Sequence, residues 1–235
     1  MRLAVQLYTL RERLSDDLEG TLGALAATGV REVELAGLYD RGSLGMRAAL
    51  DAAGLSAVSA HVPLERFETE LGRVLEEARV LTVEALVVPS VPEPADAAAA
   101  DALVARLLTA AGHVMDAGFD FGYHNHAFEF GAHGLWERIV ASGLNLEPDL
   151  GWMHVAGRDP VQELAALHGR CPLVHAKDIR DTRDVVIGEG ELDWPAIVAA
   201  ARDAGATRLV IELDDPSADP VDDVARSLAA LQAAA

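Results

Sequence analysis

Short apolar runs recur along the chain at intervals of roughly 25–35 residues, and a longer stretch with helical periodicity follows each of them. The runs are apolar and often β-branched, which is typical of strands buried on both faces of a parallel sheet. We therefore predict eight strands, at 3–9, 32–36, 55–61, 85–89, 119–126, 144–150, 173–179 and 208–213.

The stretches between these strands carry the start and stop signals of helices. Ala-rich segments run into glycines where the chain must turn left-handed before the next strand, namely at Gly54, Gly118, Gly143 and Gly205. Aspartates precede three of the stretches as N-caps, at Asp159, Asp193 and Asp219. The predicted helices are 16–28, 44–53, 64–81, 95–117, 135–142, 160–168, 194–204 and 220–233.

Eight strand–helix units in 235 residues predict a (β/α)8 TIM barrel, an α/β fold, with one domain covering 1–235. A doubly wound open sheet is the alternative. That fold usually places a glycine-rich phosphate loop after its first strand, and segment 6–11 (QLYTLR) contains no glycine. The barrel is therefore the favoured architecture.

Charge and composition narrow the range of partners. The chain carries 38 acidic against 19 basic residues, so its net charge is −19. Such a field repels nucleic-acid phosphates and anionic membranes, but it suits a divalent cation or a neutral sugar. A strand begins at the N-terminus without a signal-peptide pattern, and no stretch approaches the roughly 20 apolar residues of a membrane span. We expect a cytoplasmic protein with neither nucleic-acid nor membrane partners.

Metal-capable side chains follow three successive strands. Asp149, His175 and Glu212 end the sixth, seventh and eighth predicted strands. The C-terminal ends of barrel strands form the active-site face, and neighbouring strands lie only about 4.8 Å apart. One imidazole nitrogen with carboxylate oxygens suits Mn²⁺, Mg²⁺, Co²⁺ or Zn²⁺. A single such carboxylate in so acidic a chain is as readily a solvated one, but three at successive strand ends favour a metal site.

The fifth and third strands add imidazoles to the same face. His124 and His126 are two residues apart, so both point to one side of a strand. Glu129 lies three residues further on, where the chain has left the strand. His61 ends the third strand and could bind substrate, although a capping or buried role fits it equally well.

Three further residues are candidates for contact with a substrate. Lys177 follows His175 by two residues and could hold a substrate oxygen or form a salt bridge to one of the many carboxylates. Glu189 lies in the glycine-containing loop 188–194, which could approach a ligand closely or could be a simple turn. Trp152 could stack against a sugar or pack in the core.

Six segments of the chain together resemble a known family. They are 6–11 (QLYTLR), 123–130 (YHNHAFEF), 149–152 (DLGW), 175–178 (HAKD), 188–194 (GEGELDW) and 211–212 (IE). This combination resembles the xylose isomerase-like sugar phosphate isomerase/epimerase superfamily. That superfamily also holds inosose dehydratases, keto-sugar epimerases and, more distantly, endonuclease IV. The resemblance covers nearly the whole chain.

The resemblance implies one divalent metal ion held by Glu, Asp, His and Glu from strands five to eight. Asp149, His175 and Glu212 match the last three ligands, whereas the chain has His124 where many members have the first glutamate. Either His124 replaces that ligand or Glu129 fills the position. Because the missing glutamate is also an acid/base group in isomerising members, His126 becomes the candidate base.

The function implied is that of a metal-dependent isomerase or epimerase acting on a keto-sugar, a sugar phosphate or a related polyol through an enediolate. His126 or Glu212 would move the proton, and Lys177 and His61 would position substrate oxygens. Trp152 and Glu189 are further expected substrate contacts. The metal would act as a Lewis acid, and no organic cofactor is needed.

Three alternatives remain at this point. Dehydration of a keto-cyclitol such as inosose uses the same enediolate, and a non-catalytic sugar-binding barrel is compatible with the altered first ligand. An endonuclease IV-like phosphodiesterase would need a cationic face, which the net charge of −19 disfavours. A homo-oligomer is compatible with all of these.

Overall fold

Parallel strands form the centre of the computed structural model, which describes residues 1–131 and 133–234. The strands are β1 (Arg2–Gln6), β2 (Glu32–Leu35), β3 (Ser56–His61), β4 (Ala85–Val88), β5 (Asp120–His124), β6 (Leu146–Glu147), β7 (Leu173–Ala176), β8 (Asp178–Arg180), β9 (Arg183–Val185) and β10 (Arg208–Ile211). Of the predicted domain 1–235, Ala132 and Ala235 lie outside the described residues.

Within the described residues, eight of these strands form one parallel sheet in the order β6-β5-β4-β3-β2-β1-β10-β7. The two ends of the sheet meet, because the His175 amide donates to the Pro148 carbonyl at 2.9 Å and Asp149 bridges to His175. The sheet is therefore a nearly closed barrel, and the predicted TIM barrel fold is confirmed.

Helices surround the barrel as predicted, although some are divided. They are α1 (Arg11–Asp16), α2 (Leu18–Ala27), α3 (Gly42–Ala53), α4 (Leu64–Thr69), α5 (Leu71–Leu81), α6 (Ala97–Asp116), α7 (Leu135–Ser142), α8 (Leu150–Val155), α9 (Pro160–Ala166), α10 (Trp194–Asp203) and α11 (Pro220–Ala234). The predicted helix 64–81 breaks at Glu70, where φ is −132° and ψ is 24°. The predicted helix 16–28 begins earlier and breaks at Asp17, whose side chain caps α2.

All eight barrel strands are shorter than predicted, and three of them end three residues early at the C-terminal face of the barrel. The first stops at Gln6 and continues as a 3-10 helix, Leu7–Leu10. The sixth is confined to Leu146–Glu147 because the side chain of Asp149 caps helix α8. The seventh stops at Ala176, and the chain then forms the antiparallel hairpin β8–β9 outside the barrel sheet.

Helix α6 corrects one expectation from the sequence. It has 20 residues and a mean hydropathy of 1.2, so by length and composition it could span a membrane. Its buried positions, which include Ala100, Leu103, Leu107 and Val114, recur with helical spacing and form one face. Helix α6 packs on β5, α4 and α7, and 33% of its most apolar 18-residue stretch is buried. Length and composition alone do not distinguish a membrane span from an outer barrel helix of this kind.

The barrel interior is layered along the strands. Two small apolar clusters, Ala4 with Val58 and Val210 and Ala85 with Val87 and Leu173, lie apart from the main core. Because side chains alternate along a strand, residues two positions further on also point inward. Gln6, His175 and Glu212 occupy those positions, and the apolar layer is therefore the floor of a polar site.

Candidate active site

Buried polar side chains gather above the apolar floor, at the C-terminal ends of six barrel strands. Each belongs to the inward-facing row of its strand or to the first residues beyond it. The central ones are Glu34, His61, His124, Glu147, Asp149, His175 and Glu212. Burying so many titratable groups is costly unless they pair or bind a cation, so this end of the barrel is a candidate functional site.

One subset matches the metal ligands expected from the sequence. We call His124, Asp149, His175 and Glu212 the outer cluster, in which one ligand atom from each residue lies within 4.8 Å of the others. His175 Nδ1 is 3.1 Å from Glu212 Oε2. His124 Nε2 is 3.8 Å from Asp149 Oδ2. The structure thus brings together residues from four strand ends that are up to 88 positions apart, from His124 to Glu212.

The outer cluster fits a divalent ion. Donor atoms that share one ion with bonds of about 2.1 Å lie roughly 3–4 Å apart, and the His175–Glu212 and His124–Asp149 distances of 3.1 and 3.8 Å fall in this range. Asp149 uses Oδ1 to cap helix α8, while its buried Oδ2 has no hydrogen-bond partner among residues 1–131 and 133–234. Burial lowers the pKa of His124 well below its usual value, and neighbouring cations lower it further. A neutral imidazole and a carboxylate oxygen that has an ion-pair partner, Lys177, but no hydrogen bond suit metal ligation.

Asn125 fixes Asp149 in this position. Its buried side-chain Oδ1 accepts the Asp149 amide at 3.0 Å and so joins the end of β5 to the end of β6. Burial raises the pKa of Asp149 to about 6, although Lys177 and His175 lower it. The carboxylate is therefore ionised at neutral pH.

Lys177 is fully buried against the outer cluster as a salt-bridge partner. Its Nζ lies 3.3 Å from Asp149 Oδ2 and 3.2 Å from Glu212 Oε2, and it also pairs with Asp214. Burial lowers the pKa of Lys177, but these carboxylates raise it well above its usual value. The lysine is thus charged, and three carboxylates share this one ammonium.

The glycine of the DLGW segment makes room for Lys177. A Cβ placed on Gly151 would lie 2.7 Å from Lys177 Cγ, which is closer than real side chains approach. Lys177 Nζ also lies 5.1 Å from the ring centroid of Trp152, within cation–π range. The segment therefore carries a candidate metal ligand, a glycine that admits the lysine, and an aromatic side chain beside the lysine.

The structure places Glu129 away from the outer cluster. Its carboxylate accepts the Tyr123 hydroxyl at 2.6 Å and the His126 amide at 2.9 Å. Burial raises its pKa to about 7, although these hydrogen bonds lower it. Of the two candidates for the fourth ligand, the geometry favours His124, while Glu129 holds the turn that carries His126.

A pocket of about 420 Å³ opens above the outer cluster. Its lining includes Tyr8, His61, His124, His126, Trp152 and Glu212. Burial lowers the pKa of His126, and Lys177 lowers it further, so its imidazole is neutral at pH 7. The rings of His126 and Trp152 lie 5.5 Å apart. A base and an aromatic surface thus face the same space.

His61 contributes to the pocket and also to a deeper network. Its Nε2 lies 3.0 Å from Glu34 Oε1 and 2.8 Å from Glu147 Oε2. Burial lowers its pKa, but Glu34 and Glu147 raise it to about 10. Without a bound metal, His61 is therefore an imidazolium at the pocket wall.

Sequence reasoning did not identify Glu34 and Glu147 as site residues. Glu34 is held by Gln6 Nε2 at 2.7 Å and by the Ser59 hydroxyl, and it lies 2.7 Å from His175 Nε2. Glu147 precedes Asp149 by two residues, so the same-face spacing used for His124 and His126 could have found it. Glu34 lacks such a signal, because in the sequence it is one carboxylate among many.

The predicted substrate contact Glu189 does not lie at the pocket. Its side chain is 46% exposed and pairs with Arg226 of helix α11. The glycines of loop 188–194 approach Asp178 instead of a ligand: Asp178 Oδ2 accepts the Gly188 amide at 2.8 Å and the Gly190 amide at 3.1 Å. The interpretation of this loop as a substrate loop is therefore corrected, since its glycines serve to wrap the chain around a buried carboxylate.

Comparison with known proteins agrees with this architecture. Residues 22–234 match the family described as xylose isomerase-like TIM barrel. No curated protein sequence matches the chain. Two structures resemble it along nearly its whole length. A sugar phosphate isomerase/epimerase from Parabacteroides distasonis is 24% identical, with a TM-score of 0.87, covering 99% of this chain and 93% of that one. An L-ribulose 3-epimerase is 19% identical, with a TM-score of 0.74, covering 99% and 95%.

A third similar structure carries a different activity in its name. It is a probable 3-DHS dehydratase, AsbF, from Bacillus anthracis, and it is 14% identical with a TM-score of 0.78, covering 99% of each chain. At these identities the similarity shows the fold. The reaction has to be argued from the side chains of this chain.

Proposed function

Because the chain belongs to the xylose isomerase-like TIM barrel family, we propose that it is a divalent-metal-dependent isomerase or epimerase that moves a proton next to the carbonyl of a keto-sugar. The observation that carries the proposal is the juxtaposition of the outer cluster with His126, whose neutral imidazole faces the same pocket. A metal site without an adjacent base would support binding alone.

The ion would be held by His124, Asp149, His175 and Glu212, and when bound it supplies Lewis acidity toward the carbonyl and the adjacent hydroxyl oxygen of the substrate. Lys177 keeps Asp149 and Glu212 in place by its ion pairs. These contacts set the ligands before any substrate arrives, which is the preorganisation that electrostatic catalysis requires.

His126 is the proton carrier best suited to this pocket. Its pKa is lowered by burial and by Lys177, so the imidazole is free to accept a proton at neutral pH. For Glu212, burial raises the pKa, but Lys177 and His175 lower it well below its usual range. Glu212 therefore stays ionised as a ligand, and His126 takes the proton from the carbon beside the carbonyl and returns it.

The substrate that fits this lining is an uncharged keto-sugar. Among the described residues that line the pocket, none is Lys or Arg, and the nearby ammonium of Lys177 is already paired with three carboxylates. A phosphate group would meet Glu212 and Asp214, and the cationic side chain of the lining, His61, is already paired with Glu34 and Glu147. Trp152 offers a face for the apolar side of a sugar ring, and His61 offers a donor for a hydroxyl.

Dehydration of a keto-cyclitol is the second candidate, and the protonation of His61 favours it. Elimination needs an acid to protonate the leaving hydroxyl after the base has removed the proton. His61 lines the pocket and its raised pKa, about 10, keeps it protonated at neutral pH. His126 as base and His61 as acid would complete that reaction.

Solvent proton exchange tests the proposal. A panel of keto-sugars and inosose is incubated in D₂O with Mn²⁺ and pure protein, and NMR follows deuterium at the carbon beside the carbonyl. We expect exchange with at least one substrate, and His126→Gln should slow it by about 10²–10⁴-fold. The exposed His113 on helix α6 provides the matched control, His113→Gln, which should leave the rate unchanged.

The products separate the two reactions. Isomerisation or epimerisation conserves the substrate mass, whereas dehydration yields a product lighter by one water. Absence of exchange with every substrate while the protein holds its metal ion would contradict the proposed function.

A further inference from the structure

A second group of potential ligand atoms lies directly beneath the outer cluster. We call His61, His124, Glu147 and His175 the inner cluster, whose ligand atoms also lie within 4.8 Å of one another. They converge on Glu147 Oε2, which is 2.8 Å from His61 Nε2, 3.2 Å from His175 Nε2 and 3.5 Å from His124 Nδ1. Since Glu147 precedes Asp149 by two residues on the same strand end, this group lies one step deeper in the barrel.

Two atoms of the inner cluster are buried without any hydrogen bond. They are His124 Nδ1 and Glu147 Oε1, and neither finds a partner in the part of the chain that the structure describes. His124 is only 2% exposed and Glu147 only 1%. Buried polar atoms in native proteins nearly always have a partner, and an ion at this point would supply one to His124 Nδ1.

The inner and outer clusters share two imidazoles through opposite ring nitrogens. His124 turns Nδ1 toward Glu147 and Nε2 toward Asp149. His175 turns Nε2 toward Glu147 and Nδ1 toward Glu212. A neutral imidazole has one lone pair and one N–H, so each ring can ligate on one side only and must donate on the other.

This arrangement makes the two sites alternatives. When the rings ligate on one side, their N–H groups point at the carboxylates of the other side, which then act as the outer-shell acceptors that hold metal-binding histidines in place. While the two rings ligate an ion in one cluster, the carboxylates of the other cluster cannot bind a second ion together with these rings. One ion per chain therefore satisfies both clusters.

We propose that the inner cluster is a second divalent-metal site that prefers zinc-like ions and, when filled, excludes an ion from the outer cluster. Three imidazole nitrogens and one carboxylate oxygen form a nitrogen-rich tetrahedral donor set of the kind Zn²⁺ prefers. The outer cluster offers two nitrogens and two oxygens, which suits Mn²⁺ or Mg²⁺ better. The exclusion, though not the inner site itself, rests on the proposed outer metal.

Charge and access are both compatible with such an ion. Glu34 Oε1 lies 3.0 Å from His61 Nε2 and 2.7 Å from His175 Nε2, so Glu34 and Glu147 together balance a double positive charge. His61 and His124 line the pocket as well as the inner cluster, which gives an ion a path from solvent.

Metal binding to chelator-treated, full-length protein tests the proposal. Zn²⁺ and Mn²⁺ are titrated separately, bound metal is counted by native mass spectrometry, and the ligands of bound Zn²⁺ are read by X-ray absorption. We expect one equivalent of Zn²⁺ with three imidazole nitrogens in its coordination shell. Bound Zn²⁺ should reduce the binding of Mn²⁺ in competition.

Matched variants assign each ion to its cluster. Glu147→Gln and, independently, His61→Asn should weaken Zn²⁺ binding by at least about tenfold more than they weaken Mn²⁺ binding, because for an ion in the outer cluster Glu147 is only an outer-shell acceptor, a role that the amide oxygen of Gln can still fill. Asp149→Asn should do the reverse, and His113→Gln should change neither. Thermal melting of each metal-free variant checks that it is folded before its affinities are compared, and the two inner variants give independent readings.

Each contrary result removes a definite part of the proposal. Zinc binding that is lost in Asp149→Asn and kept in Glu147→Gln and His61→Asn would place zinc in the outer cluster and overturn the inner site. Two equivalents of Zn²⁺ bound at once would overturn the exclusion. Zinc binding to the inner cluster without any Mn²⁺ binding would support the inner site and contradict the metal of the proposed function.

Discussion

The two ends of the barrel interior both contain buried charges, but they treat them differently. At the N-terminal end, Arg208 lies 2.8 Å from Glu32 and 2.7 Å from Glu84, and Arg2 also pairs with Glu32. Two cations meet two carboxylates there, and the charges cancel. At the C-terminal end, the single ammonium of Lys177 meets three carboxylates, those of Asp149, Glu212 and Asp214.

The position of a carboxylate along its strand, and not its residue type, therefore decides whether it pairs with arginines or joins the candidate site. Glu32 and Glu34 lie two residues apart on β2 and point into the same barrel. Glu32 is neutralised by arginines at one end, whereas Glu34 contacts imidazoles at the other. In TIM barrels the N-terminal face serves stability and the C-terminal face serves chemistry, and the paired Glu32 and the imidazole-bound Glu34 lie on the corresponding sides.

We expect the largest change in metal affinity and activity from a substitution at Glu212. Glu212→Gln keeps the shape of the side chain but removes a charge from the outer cluster. We expect Mn²⁺ affinity and solvent exchange of substrate protons each to fall by more than about 100-fold, beyond the cost of losing an outer-shell partner. Calorimetric Mn²⁺ titration and the NMR exchange assay measure the two quantities. Unchanged metal affinity would mean that Glu212 is not a ligand.

A second comparison separates the candidates for the fourth ligand. His124→Ala should lower Mn²⁺ affinity by about 10–100-fold, because it removes a ligand atom from the outer cluster. Glu129→Ala should keep the metal and lower the catalytic rate, since Glu129 holds the His126 amide and the Tyr123 hydroxyl. Metal content after gel filtration distinguishes the two. Loss of metal in Glu129→Ala alone would reverse the assignment.

A change to the ion pairs at the N-terminal end of the barrel should affect the stability of the protein alone. Glu32→Gln leaves the guanidinium of Arg208, which is only 5% exposed, with one carboxylate partner instead of two. We expect the free energy of unfolding to fall by about 1–3 kcal/mol. Catalytic rate and Mn²⁺ affinity of the folded protein should be unchanged. Urea denaturation of parent and variant checks the first expectation, and a changed Mn²⁺ affinity would show that the two ends of the barrel are coupled.

The smallest effect is a pH dependence that comes from Glu129. Burial raises its pKa in the folded protein to about 7, above the ordinary value of 4.5, so the folded state binds the proton more tightly. The contribution of Glu129 to the free energy of unfolding should therefore be largest below about pH 4.5 and should decline as pH rises through 7. Glu129→Gln removes this slope, so the stability of the variant relative to the parent should rise by about 1–2 kcal/mol between pH 5 and 8. Parallel urea melts at both pH values measure it, and equal slopes for both proteins would contradict the assignment.

Much of this arrangement could be predicted from the sequence, because it depends on local patterns. Strand spacing predicted the barrel, and the direction of parallel strands led to Asp149, His175 and Glu212 at one end. The two-residue spacing of His124 and His126 predicted that they share a face, and both line the pocket. These inferences need only strand direction and alternation.

The remainder depends on contacts between segments distant in sequence. Glu34 becomes a site residue only because β2 lies across the barrel from β7, which carries His175. The glycines of loop 188–194 donate their amides to Asp178, which lies at least ten residues earlier in the chain. The sequence pattern alone could not distinguish such a loop from one that binds a ligand. Strand six is short because Asp149 caps a helix that the periodicity did not predict.

Anomalous diffraction at the manganese edge, from crystals of the full chain soaked in Mn²⁺, tests the central claim most directly. We expect one anomalous peak per chain within about 2.0–2.4 Å of ligand atoms from His124, Asp149, His175 and Glu212. A peak elsewhere, or no peak at these four residues at a saturating Mn²⁺ concentration, would contradict it.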